Sequence, residues 1–370
     1  MKYFFIAGEA SGDMHASALM RALRAEDPEA VFMGLGGDKM EAAGCRLYVN
    51  YREMAYMGYV AVLKNLDKIR RNFRKAYAAL EAEKPDVLIL IDYPSFNLKV
   101  ADWCRKHLPK TKIAYYIPPK AWAWKKWRVH HIARVSDAVL GIFPFEPDFY
   151  GQYGYHCTYV GNPTVDAVRA WRIENREPKI ENREPLIAVL PGSRPSEVSN
   201  CLPRMLEAAR RVAGTERRIV VGAAPGLSDD FYKPYLVGET LTRDTYALLS
   251  SAEVGIVNSG TATLEAALLG CPEVAVYHVA FPHIMGLLRP IMFRTPWFTL
   301  VNIVAKQTVI QELLAYLFTV DNVEQELRRL LTDKAYKKNM LASYEHIRNI
   351  LGDTPAATGA ARHIVHMARS

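Results

Sequence analysis

Short, almost wholly apolar runs alternate along the first 165 positions with longer stretches whose apolar residues recur at helical spacing. The runs are Tyr3–Ala7, Val31–Leu35, Val87–Ile91, Lys112–Ile117, Ala138–Phe143 and Cys157–Val160. Between them lie helical patterns such as His15–Ala25, Val60–Glu81 and Leu98–His107. A strand with no polar alternation is buried on both faces, so this pattern predicts a parallel sheet with helices on each side. Residues 172–185 then read RIENREPKIENREP, with Ile-Glu-Asn-Arg-Glu-Pro at 173–178 and again at 180–185. A charged, proline-punctuated segment of this kind predicts an exposed linker. The apolar runs resume at Leu186–Leu190, Arg218–Val221, Val254–Val257 and Val274–Val279, with helices starting near Glu197 and Ala262. From Asn322 onward the pattern is of consecutive helices. The predicted fold is α/β: two Rossmann-like doubly wound domains, 1–171 and 186–321, facing a central cleft. Residues 172–185 join them, and a helical tail, 322–370, packs back on the first domain or on a partner subunit. In such folds ligands bind at the carboxyl ends of the strands.

Composition narrows the classes. The chain has 370 residues, half of them hydrophobic and 23% charged, which suits two or three globular domains and excludes a disordered, collagenous or disulfide-stapled protein. Five scattered cysteines, with no C-x-x-C pair, imply reduced thiols in a cytoplasmic setting. The first apolar run leads straight into a glycine-rich turn, as a buried strand does and a signal peptide does not. No stretch approaches the roughly 18 apolar residues of a spanning helix. The net charge of +8 suits a surface that meets anions: nucleic acid, acidic lipid or phosphorylated substrates.

Candidate chemistry clusters at strand ends. Gly8-Glu9-Ala10-Ser11-Gly12-Asp13 follows the first run, where backbone amides at a helix start suit a phosphate or a sugar. The alternative is a tight turn capped by Ser11 or Asp13. Asp92, in Asp92-Tyr93-Pro94-Ser95-Phe96-Asn97, emerges at the end of Val87–Ile91 and can accept a proton from a substrate hydroxyl, or else cap the turn at Pro94. Trp122, Trp124 and Trp127 stand among prolines and cations in Pro118–Arg128. Indole faces stack on sugars or cover acyl chains; a nucleic-acid patch or an inter-domain anchor is the alternative.

In the second half, Leu190-Pro191-Gly192-Ser193-Arg194 and Asn258-Ser259-Gly260-Thr261 each run from strand through small-residue turn to helix. The first offers amides, the Ser193 hydroxyl and the Arg194 fork to a diphosphate. The second offers Ser259, Gly260 and Thr261 at a helix start, with Glu265 one turn on, placed to accept hydrogen bonds from ribose hydroxyls. Gly34-Leu35-Gly36-Gly37 lacks the last glycine of a dinucleotide fingerprint, which counts against a nicotinamide oxidoreductase. Neither a P-loop, a D-x-D pair nor a G-x-S-x-G elbow occurs.

One stripe points to a membrane. Val60, Leu63, Leu66, Ile69 and Phe73 recur at helical spacing, while Lys64, Lys68, Arg70, Arg71, Arg74 and Lys75 oppose a lone Asp67. A basic amphipathic helix lies on anionic lipid, although core on one side and solvent on the other explains the same pattern. Phe281–Phe293 is a second apolar patch.

Taken in order, GEASGD (8–13), MGYVAVL (57–63), IDYPSFN (91–97), PPKAWAWKKWR (118–128), FPFEPDFY (143–150), LPGSRPSEV (190–198), SGTATLEAALLGCP (259–272) and VNIVAKQTVIQELL (301–314) resemble the lipid-A-disaccharide synthases. These are sugar-nucleotide glycosyltransferases of the two-domain (glycosyltransferase-B) type. The resemblance implies an inverting transfer of 2,3-diacylglucosamine from UDP-2,3-diacylglucosamine to 2,3-diacylglucosamine 1-phosphate, at the cytoplasmic face of a bacterial inner membrane. It implies no cofactor, no metal, no nucleic-acid partner and peripheral contact with anionic lipid, with a homodimer among the assemblies it allows. The first domain then faces acceptor and membrane, and the second binds the UDP-sugar. Asp92 becomes the general base; Ser193, Arg194, Ser259, Gly260, Thr261, Glu265 and Asn302 hold UDP. Glu9, Ser11, Gly12, Asp13, Asn97, Trp122 and Trp124 line the acceptor, and Val60, Leu63, Leu66, Ile69 and Phe73 face lipid. Ser95 stands where the family commonly carries an acid. The competing classes are another two-domain UDP-sugar enzyme, such as a UDP-GlcNAc 2-epimerase or a peptidoglycan-type transferase, and a non-catalytic peripheral membrane protein.

Overall fold

The computed structural model describes residues 1–53, 66–122, 127–175, 184–279 and 296–370. The chain forms two compact units, Met1–Pro163 with Asp353–Ser370, and Thr164–Gly352.

The first unit is built on seven strands: β1 (Lys2–Ala7), β2 (Val31–Gly36), β3 (Cys45–Asn50), β4 (Val87–Ile91), β5 (Lys112–Tyr116), β6 (Ala138–Gly141) and β7 (Thr158–Tyr159). Their order is β3-β2-β1-β4-β5-β6-β7, with every pairing parallel. The central strands are apolar at each residue because the sheet is covered on both faces. Phe4, Ile6, Leu88 and Leu90 enter the core on one side, and Tyr3, Phe5, Val87 and Ile89 the core on the other. The winding reverses between β1 and β4, which opens a crevice at their carboxyl ends.

The second unit repeats the plan with β8 (Glu184–Leu190), β9 (Arg218–Gly222), β10 (Thr240–Thr242), β11 (Ala252–Asn258), β12 (Glu273–Tyr277) and β13 (Glu312–Leu314). The order is β10-β9-β8-β11-β12-β13, again parallel, and the reversal falls between β8 and β11. Helices Val320–Thr332 and Lys334–Leu351 belong to this unit. The last helix, Ala356–Arg369, returns to the first unit and packs along helix Ala10–Glu26.

Three strands carry no apolar run and were not expected: β3, β10 and β13, each at or near a sheet edge where one-sided burial suffices. The end of β5 falls one residue short of Ile117 because that residue turns left-handed, at φ 57°. The sixth strand closes at Gly141 because Glu146 captures the amides of Ile142 and Phe143 at 2.7 and 2.9 Å. At the expected linker, helix Pro163–Asn175 covers 172–175 and β8 begins at Glu184. Residues 176–183 lie outside the described residues, as do Val60, Leu63, Trp124, the patch Phe281–Phe293 and the side chain of Leu66.

Candidate active site

In the first unit, Ala7 pairs with Ile91, so the segments following β1 and β4 leave the sheet side by side. The β1 segment enters helix Ala10–Glu26 through Glu9, which is half-buried and extended. The β4 segment passes through Asp92 and Tyr93, both left-handed at φ 41° and 42°, into helix Pro94–His107. Such a conformation costs a non-glycine residue about 1–3 kcal/mol and needs outside support. Part of the support is Gly8, where a Cβ would lie 2.3 Å from the Tyr93 ring. The Asp92 amide donates to the Ile117 carbonyl at 3.2 Å. Its carbonyl accepts the Tyr115 hydroxyl and the Asn97 amide, each at 2.7 Å. The Asp92 side chain is reachable by water but crowded by protein, and the lost hydration raises its carboxyl above the ordinary range. Lys120, the Tyr93 amide and Arg128 pull it back toward the ionised form.

Four residues expected at an acceptor or donor site are anchors instead. Asp13 is buried and gives both oxygens to backbone amides, Gly37 and Met40 at 2.8 and 3.0 Å and Lys39 at 3.1 Å, so it locks the turn after β2. Asn97 is fully buried and donates to the Ile91 and Asp92 carbonyls. Trp122 is buried edge-on against Phe143 and Phe145, with its indole N–H on Glu146 at 3.3 Å. Asn302 is fully buried in the second unit; it accepts from the Val309 and Ile310 amides and donates to the Ile310 carbonyl and Glu312. Its amide has no capacity left for a ligand. Gly12 packs its helix on β1, where a Cβ would meet that of Ala7 at 3.3 Å, and Ser11 stays exposed at the helix start.

Phe73 is a further correction. On helix Leu66–Glu83 it stacks on Phe96 with ring centroids 4.3 Å apart and joins the core face of Ala76 and Leu80, so it does not face lipid. Ile69 is half-buried, and Lys68, Arg70, Arg71, Arg74 and Lys75 are exposed. A helical period marks a core stripe and a membrane stripe alike.

In the second unit the crevice between β8 and β11 receives both glycine turns. Gly192 is left-handed at φ 119°, and a Cβ there would lie 2.7 Å from Asn258 and Glu197 alike. Helix Pro195–Ala213 begins with Glu197 folded back: its carboxylate accepts the Ser193 amide at 2.9 Å, the Arg194 amide at 3.3 Å and the Arg194 guanidinium at 2.9 Å. Ser193 and Arg194 are exposed. Helix Thr261–Leu268 starts at Gly260 with no side-chain cap, next to exposed Gly260 and Thr261 and half-buried Ser259. One turn in, Glu265 accepts the Tyr246 hydroxyl at 3.0 Å, and Trp171 covers the Tyr246 ring edge-on. Burial raises the Glu265 carboxyl, and the Tyr246 bond opposes this. A cavity of about 290 Å³ opens beside the start of helix Pro195–Ala213, lined by Arg194, Glu197, Asn200, Asn258, Tyr277 and His278. Asn200, Tyr246, Tyr277 and His278 were given no role in the sequence reading, and Asn258 appeared there only as the head of the second turn. Burial and nearby Arg204 hold His278 below the usual imidazole range. Lys120 and Glu146 were missed in the first unit. Among the described residues no cluster of three or more His, Cys, Asp or Glu is arranged to hold a metal.

Two doubly wound parallel units, each with a reversal of winding in its sheet, define the two-domain glycosyltransferase-B architecture. Solved structures of that architecture superpose on the chain. A UDP-GlcNAc 2-epimerase from Neisseria meningitidis bound to UDP-GlcNAc matches at TM-score 0.59 and 12% identity, over 99% of both chains. The glycosyltransferase SnogD from Streptomyces nogalater matches at TM-score 0.56 and 16% identity, over 100% of this chain and 99% of that one. The family profile for lipid-A-disaccharide synthetase matches residues 3–356. A lipid-A-disaccharide synthase from Trichlorobacter lovleyi is 38% identical over 361 residues, 95% of this chain and 93% of that protein. The chain belongs to the lipid-A-disaccharide synthase family and is a hexosyl-transferring enzyme of lipid A biosynthesis.

Proposed function

We propose that the enzyme transfers 2,3-diacylglucosamine from UDP-2,3-diacylglucosamine to the 6-hydroxyl of 2,3-diacylglucosamine 1-phosphate. Asp92 takes the proton from that hydroxyl as its oxygen attacks the anomeric carbon of the donor. The bond from that carbon to the diphosphate oxygen breaks, the anomeric configuration inverts, and UDP leaves. Arg194, Ser193 and the amides at Ser259–Thr261 neutralise the departing diphosphate, and Glu265, braced by Tyr246, holds the ribose. The observation that carries the reading is the pairing of functions by switch point. The candidate base lies at the β1/β4 reversal of one sheet, and the anion turns lie at the β8/β11 reversal of the other.

The substrates carry acyl chains, and burying each methylene is worth about 0.8 kcal/mol, so they stay in a bilayer. Exposed Lys68, Arg70, Arg71, Arg74 and Lys75 supply the charge that holds the enzyme peripherally on an anionic inner leaflet. No described helix is long and apolar enough to cross a membrane. Charge reversal at Arg70, Arg71 and Arg74 is expected to abolish co-sedimentation with anionic vesicles; undiminished binding overturns the assignment of that face.

The test of the reaction is UDP release from UDP-diacylglucosamine with its 1-phosphate acceptor. Asp92→Asn is expected to lower turnover by about 10²- to 10⁴-fold while UDP binding persists. Full turnover by that variant refutes the base assignment.

A further inference from the structure

The left-handed pair Asp92-Tyr93 is held by buried groups. We propose that Asn97 and Tyr115 are positioning residues for Asp92. The inference rests on Asp92 acting as the base. Two donors from separate elements converge on one atom: the Asn97 amide, from helix Pro94–His107, and the Tyr115 hydroxyl, from β5, each reach the Asp92 carbonyl oxygen at 2.7 Å. Asn97 also donates to the Ile91 carbonyl at 3.1 Å, tying the last residue of β4 to the first residue beyond it. Both side chains are buried, Asn97 at 0% exposure and Tyr115 at 0%.

The third strut is the neighbouring chain. The Asp92 amide donates to the Ile117 carbonyl at 3.2 Å, and Ile117 is itself left-handed. A strand that simply continued would turn the Asp92 side chain toward one face of the sheet. The left-handed turn lifts it off the sheet at the crevice instead. Without the two donors the residue relaxes toward the extended region that non-glycine residues prefer, and the carboxylate swings away.

The experiment compares Asn97→Ala, Tyr115→Phe and Asp92→Asn in the full-length enzyme. Tyr115→Phe removes one hydroxyl without a cavity, so it remains informative should Asn97→Ala fail to fold. Each positioning variant is expected to lose about 10- to 100-fold in kcat, the scale of a misplaced catalytic group, with donor KM and UDP affinity within twofold of the parent. The acid limb of the pH–rate profile is expected to shift, because the carboxylate changes surroundings. A merely structural role lowers the thermal midpoint and leaves kcat per folded molecule and the pH profile unchanged, and that result overturns the inference. If Asp92→Asn is inactive while both positioning variants keep full kcat, the positioning inference fails and the base assignment stands. If Asp92→Asn keeps full activity, the base assignment itself fails.

Discussion

At the residue scale, a carboxylate occupies the turn proposed here to receive the diphosphate. Glu197 takes the Ser193 and Arg194 amides and the Arg194 guanidinium, so the bonds read from the sequence as phosphate donors are already made internally. On the proposed reading, UDP displaces that carboxylate. Charge-assisted hydrogen bonds are worth about 1.5–3 kcal/mol each, and a fixed negative charge beside a diphosphate opposes binding. Glu197→Gln keeps the side-chain size and removes the charge, so UDP is expected to bind about 3- to 10-fold more tightly in calorimetry at low salt. Weaker binding would show that Glu197 presents Arg194 to the nucleotide. Arg194→Ala is expected to weaken UDP by about 10- to 100-fold. The candidate residues were chosen by residue type and position: Asp92 and the 192–194 turn directly follow central strands, and Glu265 lies one turn into the helix after β11. Asp13, Asn97 and Asn302 sit in equally suggestive motifs, but Asp13 is spent on backbone amides, the Asn97 amide nitrogen on two backbone carbonyls, and Asn302 on backbone and Glu312. The amides that saturate Asp13 lie 24 to 27 positions away, and no local pattern records that closure.

At the scale of elements, two buried carboxyls set how single strands respond to pH. Glu146 begins helix Glu146–Gly151 and braces Trp122 and the end of β6; burial, set against the Phe143, Ile142 and Trp122 bonds, raises it to about 7. The folded state therefore holds the proton more tightly than the unfolded chain, whose carboxyl titrates near 4.5. Its contribution to stability is complete below that value and is lost as pH rises through about 7. Glu146→Gln is expected to flatten that fall in thermal midpoint between pH 4.5 and 7. An unchanged slope would place the titration elsewhere. Glu273 opens β12 fully buried, with neither oxygen hydrogen-bonded, and burial alone raises it well above the carboxylate range. It too costs stability as the pH climbs. Glu273→Met keeps the volume and removes the charge, and is expected to raise stability by about 1–3 kcal/mol at pH 8 in denaturant titration. A loss there would mean that the carboxyl has a partner which the folded chain forms in solution. The apolar runs foretold the central strands because these are buried on both faces. They were silent on β3, β10 and β13, edge strands that are short or broken by a polar residue.

At the scale of the whole molecule, the chain leaves its first unit at Pro163 and rejoins it at Asp353. The helical pattern after Asn322 was plain in the sequence, but helical periodicity does not say which apolar surface a stripe will cover. The final helix settles on the first unit through Ala356, Ala360, Ala361, Ile364 and Val365, all buried. Ala360, Ala361, Ile364 and Val365 belong to the same core as Leu19, Leu23 and Phe5. The seat is close: a Cβ on Gly359 would lie 2.4 Å from the Val160 carbonyl oxygen, so only glycine permits the approach. Burying Ile364 and Val365 is worth about 1.5–3 kcal/mol each. Three alanines add to that, and the sum is comparable with the whole stability of an ordinary domain, about 5–15 kcal/mol. Deleting residues 353–370 removes no residue assigned to chemistry and none of the second unit. The truncated chain is nonetheless expected to lose the cooperative unfolding transition of the first unit, and turnover with it. The second unit should keep its own transition and still bind UDP, because β8 to β13 and both anion turns remain. A truncated enzyme with both transitions intact would show that the last helix is dispensable cladding; loss of both would show that the two units fold as one.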